Sequence, residues 1–148
     1  MGVRLLQFCA IILTAMALVP AGAHFFELPN KIDLDQNAYF TVQGIYRGWA
    51  LFGIALFGAL LANGLLALLL AFRRRPYVLP LAAFLLVAAT LVIFFTWTWP
   101  ANQATANWTL PGANWQQLRT QWEYAHAVNA VLTFIALCCL TWSVVTRD

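Results

Sequence analysis

The chain has 148 residues, of which 63% are hydrophobic and only 9% charged, with a net charge of +3. A soluble domain carries roughly 25% charged residues. A water-facing surface is therefore excluded for most of this chain, and one lipid-facing domain is expected. The small positive balance gives no nucleic-acid footprint. Three cysteines (Cys9, Cys138, Cys139) in apolar segments, without C-x-x-C spacing, argue against a disulfide framework.

Four segments reach the length of about 20 apolar residues that a spanning helix needs. The first runs from about Leu5 to Ala23. A cleavable signal peptide is the rival reading of this segment, with its basic start and its Ala21-Gly22-Ala23 end. The second span runs from about Trp49 to Phe72, the third from about Val78 to Trp97, and the fourth from about Tyr124 to Val145. The expected fold is an all-α membrane four-helix bundle, up-down-up-down.

Arg73, Arg74 and Arg75 link spans two and three, Arg4 precedes span one and Arg147 follows span four. The positive-inside rule makes all three places cytoplasmic, so both termini are expected inside. The longer connections, about 24–48 and 98–123, then face outward. Asn107-Trp108-Thr109 in the second of them is a glycosylation-type triplet.

Close packing between helices in lipid depends on small residues. Ala55, Ala59 and Ala62 share one face of span two, and span three supplies Ala82, Ala83, Ala88 and Ala89. Asn63 is expected to make an interhelical hydrogen bond. Near the outer interface, Trp115, Arg119, Trp122, His126, Asn129 and Thr133 follow at helical spacing and form one stripe. "NWQQLRTQWEYAH" reads as a helix that begins outside the membrane. Polar groups at membrane depth face an interior and are functional by default.

The only two histidines fall at one level. His24 has Glu27 three residues later, and His126 has Glu123 three residues earlier. Such spacing puts each pair on one helical face. Three chemistries remain open. His24, Glu27, Glu123 and His126 offer ligands for a single transition metal. The two histidines offer axial ligands for a haem. Alternatively His126 acts without a metal, as a general base. Arg47, Arg119, Asn102 and Asn107 would then stabilise a developing anion, with Trp108, Trp115, Trp122 and Asn129 lining a pocket for a lipophilic aromatic molecule. A plain structural account competes with all three. In it Glu123 pairs with Arg119 at i,i+4, and Glu27 pairs with Lys31 or Arg47.

"PANQATANW…NWQQLRTQWEYAHAVNA", through Pro100, Asn102, Trp108, Trp115, Leu118, Arg119, Trp122 and His126, resembles the second half of the anthrone-oxygenase-like family of small four-span membrane proteins. The likeness extends through "YRGWALFG" and "AHFFELPNKI" and so over most of the chain. Where the family commonly places a basic residue soon after its final histidine, this chain holds Asn129. The resemblance implies oxygenation of an anthrone-like aromatic by dioxygen without a prosthetic cofactor. It implies His126 as base, with Arg119 and Asn102 holding the enolate. A non-catalytic membrane subunit or transport element, and a metal- or haem-binding module, are the other functional readings. The expected partners are the bilayer of a bacterial inner membrane, a lipophilic small molecule, and a second copy or another membrane subunit.

Overall fold

Leucine, alanine and phenylalanine runs form helix in lipid because every backbone N–H and C=O must be satisfied within the segment. The computed structural model describes residues 2–146. Arg147, one of the basic topology markers, lies outside them. Among the described residues there are helices and turns but no strand. Helix α1 is Gly2–Lys31, α2 is Gln36–Gln43, α3 is Gly53–Phe72, α4 is Val78–Ile93, α5 is Trp99–Ala104 and α6 is Trp115–Val145. A 3-10 turn, Trp49–Phe52, leads into α3, and a π turn, Phe94–Thr98, joins α4 to α5. Four of the resulting helical stretches are long and apolar enough to cross a membrane. Helix α1 packs on α3 and α6, and α4 packs on the same two, so the four close into a bundle.

Two helices outrun the spans that hydropathy marks. The first continues to Lys31 rather than ending near Ala23, and the last begins at Trp115 rather than Tyr124. Polarity changes at those places, and α1 runs on through Pro29 as well. The backbone goes on past the apolar stretch, and His24, Glu27 and Lys31 share one unbroken helix.

Small residues hold the bundle together. Ala55, Ala59 and Ala62 are all buried on α3, opposite leucines such as Leu61, Leu65 and Leu68 that remain exposed. Ala83 and Val87 of α4 and Ala136 and Leu140 of α6 complete this core. Asn63 donates from Nδ2 to Thr14 Oγ1 at 3.3 Å, the expected interhelical bond. Cys9, Cys138 and Cys139 are free thiols.

The α3–α4 link turns sharply. Arg75 N–H donates to the Leu70 carbonyl and Arg74 N–H to the Ala71 carbonyl, both at 3.0 Å. This is the Schellman pattern, which usually places glycine at the left-handed position. Here that position is Arg74, with φ of 52°.

The other end of the bundle carries a second, aromatic core of Tyr39, Ala101, Trp108 and Trp122. Asp35 caps α2 by accepting from the Ala38 N–H at 3.0 Å. The cap fixes the start of α2, and the i,i+4 spacing then puts Tyr39 and Gln43 on its buried face.

Candidate functional site

The two histidines meet. His24 comes from α1 and His126 from α6, and their ring centroids are 4.3 Å apart, tilted by 38°. Trp122, one turn before His126, touches both rings, at 4.9 Å from His24 and 4.2 Å from His126. Tyr46 and Trp49 close the other side of His24 at 4.4 and 5.5 Å. His24 is buried to 5% exposure, whereas His126 is only partly covered. His24 Nδ1 is buried without a hydrogen-bond partner. Its separation of 3.9 Å from Glu27 Oε2 is too long for one.

Beside the pair lies a buried ionic network centred on Lys31, a residue only 3% exposed. Its ammonium stands 3.0 Å from Glu123 Oε1 and 3.6 Å from Glu27 Oε2, and it donates to the Tyr46 hydroxyl at 2.6 Å. Tyr46 in turn donates a short hydrogen bond to Glu27 Oε2. On the other flank Gln43 Nε2 donates to Tyr39 Oη at 2.5 Å, and Tyr39 donates to Glu123 Oε1 at 2.9 Å. Glu123 is fully buried, and its Oε2 accepts no hydrogen bond. Burial, with the carboxylates next to them, pushes both Tyr39 and Tyr46 above the ordinary phenol range, so both stay protonated donors. The Lys31 ammonium also faces the rings of Tyr46 and Trp122 at 4.5 and 5.1 Å. A charge removed from water is tolerated when it is paired in this way.

The ion pairing differs from one of the simple sequence expectations. Arg119 does not pair with Glu123. It donates from Nη1 to the Leu34 carbonyl at 2.6 Å and stacks over Trp115 and Tyr39. Lys31 reaches Glu123 first because both point into the bundle, while Arg119 is captured where the chain leaves α1. The expected Glu27–Lys31 pair does form.

Asn102 also has structural work. Its Oδ1 accepts from both the Trp122 and Trp108 indoles, at 2.9 and 3.1 Å. Indole N–H groups only donate, so the amide oxygen must face them. Trp108 is buried against Tyr39, Phe40 and Trp122, and Trp115 packs on Tyr39 and Phe40. These tryptophans fill the histidine end of the bundle rather than border either hollow described below. Asn107 and Arg47 are exposed. Asn129 is buried one turn below His126, with its Oδ1 unpartnered.

The four proposed metal ligands are brought to one region, but not into a ligand set. Among the described residues no group of three or more His, Cys, Asp or Glu is placed to hold a metal ion. Both carboxylates close on Lys31 instead. The two imidazoles are in ring contact, so a porphyrin would have to part them to be ligated by both. The donors as arranged fit neither a single metal nor a haem.

Two hollows lie elsewhere. One, of about 680 Å³, runs along Ile93, Trp97, Gln121, Tyr124 and Val128, on the face of α6 turned away from His126. The other, of about 430 Å³, is lined by Val3, Arg4, Arg73 and Arg75.

Sequence reasoning missed Tyr39, Gln43, Tyr46 and Trp49 as members of the site. Only Lys31 carried a signal, its i,i+4 spacing from Glu27. No family model matches the chain, and no match was found among curated proteins or solved structures.

Proposed function

We propose that this protein is a multi-pass membrane oxidoreductase of the anthrone-oxygenase type, whose histidine pair deprotonates a lipophilic substrate at the outer mouth of the bundle. The tight, arginine-rich link at 73–75 supports an up-down-up-down path with both termini cytoplasmic. The observation that carries the reading is the imidazole pair, at 4.3 Å under an aromatic cover, with His24 Nδ1 unpartnered. A base needs a lone pair that no other group has claimed.

His126, the less buried ring, takes a proton from an acidic benzylic carbon. The carbanion, delocalised as an enolate, transfers its electrons to dioxygen. A C–O bond forms to give a hydroperoxide, and its O–O bond and the remaining C–H bond then break with loss of water, so the methylene and dioxygen become carbonyl and water. The abstracted proton returns from His126 to the peroxide, so both methylene hydrogens leave in the water. Asn102, with its oxygen held by two indoles, positions Trp122 against both imidazoles.

Oxygen uptake by proteoliposomes supplied with an anthrone tests the reading. His126→Ala is expected to lower turnover by about 100-fold or more. Full activity in that variant, or no uptake by the wild-type protein, would overturn it.

The ring packing around His24 favours a second reading, a non-catalytic membrane subunit in which the aromatic core merely fastens the helix ends. His24→Phe would then keep both stability and partner binding.

A further inference from the structure

The end of the bundle remote from the histidines holds a feature that the proposed oxidation does not use. The hollow of about 430 Å³ is lined by Val3 and Arg4 of α1 and by Arg73 and Arg75 of the α3–α4 link. Arg74, between them, does not line it. The left-handed Arg74 backbone turns the chain so that its two neighbours converge with Arg4.

Among the described residues these arginines have no counter-charge. The described acidic residues are Glu27, Asp33, Asp35 and Glu123, and all belong to the histidine end or to the loop beside it. None of the three lining arginines has an ion-pair partner among the described residues. A guanidinium cluster with no carboxylate on it among the described residues is suited to an oxyanion, and arginine binds phosphate through paired N–H bonds.

Depth identifies which phosphate. Arg4 and His24 are about 20 residues apart on one helix, a rise of roughly 30 Å, which is one hydrocarbon thickness. The hollow therefore lies at headgroup level when the intervening helix spans the bilayer. Leu5 and Phe8, within about a turn of Arg4 on α1, and Leu68 and Phe72, in the last turns of α3 before Arg73, are more than half exposed. They supply an apolar surface for acyl chains next to a cationic hollow.

We propose that Arg4, Arg73 and Arg75 form a headgroup site for the phosphodiester of an anionic phospholipid. Three guanidinium groups exceed the charge of one phosphodiester, so a zwitterionic lipid would bring its own cation into repulsion. A lipid without a headgroup cation avoids this.

Native mass spectrometry of the full chain in neutral detergent tests the site, with titration by phosphatidylglycerol, phosphatidylcholine or inorganic phosphate. Phosphatidylglycerol is expected to form the tighter one-to-one adduct. Arg73→Gln should weaken it by about five-fold, and Arg74→Gln, an equal loss of charge outside the hollow, by less than about two-fold. Arg4→Gln repeats the test from a different helix should Arg73→Gln fail to insert. Equal binding of the two lipids would overturn the proposal, as would equal loss in the Arg73 and Arg74 variants. Displacement of the lipid by inorganic phosphate would assign the hollow to the free anion and would also overturn it.

Discussion

Lys31 is the residue on which the histidine end of the bundle is assembled. It neutralises Glu123, which has no exposure, and it orients Tyr46 toward Glu27. Removing one member of a buried ion pair leaves the other uncompensated, at a cost of about 3–5 kcal/mol. Lys31→Met should show that loss in a denaturant titration of the purified protein, and the double variant Lys31→Met/Glu123→Leu should recover much of it. If Lys31→Met alone proved neutral, Glu123 would not be carried as an anion by Lys31. Asn102 gives a second case. Asn102→Leu strands two indole N–H groups, each at about 1–3 kcal/mol when buried, and a changed tryptophan emission should accompany the loss. Part of this was legible in the sequence, because H-x-x-E and E-x-x-H announced that the histidines and carboxylates share inward faces. That Lys31 would lie between the carboxylates was not legible, because spacing along one helix says nothing of what a second helix presents. Tyr39 and Tyr46 were hidden for the same reason. They lie on short segments whose place over the bundle is set by long-range packing, with Tyr39 pairing with Glu123 across the fold.

The elements most exposed to test are the two left-handed turns. Ala106, Asn107 and Trp108 have φ of 47°, 56° and 64°, three consecutive non-glycine residues in a region that costs roughly 1–2 kcal/mol each. The turn is held because Asn107 N–H donates to the Asn102 carbonyl at 2.7 Å and Trp108 N–H to Thr105 Oγ1 at 3.0 Å. Arg74 is a simpler case. Its Schellman bonds are complete, so Arg74→Gly relieves the backbone alone and should stabilise the protein by about 1 kcal/mol. An unchanged or lower unfolding midpoint would show that the turn is not strained. Sequence patterning located this turn from Arg73-Arg74-Arg75-Pro76, but assigned the arginines only to topology. Their convergence on α1 depends on the hand of one residue, which composition cannot reveal. The end of α1 was misplaced for a different reason, whereas the early start of α6 was legible in "NWQQLRTQWEYAH". A hydropathy window finds the edge of the apolar run, and α1 continues beyond it.

At the scale of the whole molecule, close approach of α3 to its neighbours holds the four helices together. A Cβ on Gly64 would lie 3.1 Å from the Phe84 ring of α4, whereas one on Gly53 would meet nothing within 4 Å. Gly64→Val is therefore expected to cost about 1–3 kcal/mol through overpacking, and Gly53→Val to leave the bundle contacts intact. Equal effects in thermal unfolding would place the sensitivity in helix propensity rather than in packing. Here the sequence spoke clearly. Small residues on one face of α3, with leucines on the other, fixed which side is buried, and the Asn63–Thr14 bond agrees with that orientation.

The overrun of α1 and α6 has a further consequence. Thirty residues of helix measure about 45 Å, some 15 Å more than the oily slab of a bilayer is thick. Both rods overshoot on the flank that carries the imidazoles, where α2 and α5 also gather, so the surplus forms a turret standing among the lipid heads. The stability of the buried Lys31 network should then depend on how thick a film surrounds the turret. A deep film would submerge it and a thin one would leave it wet.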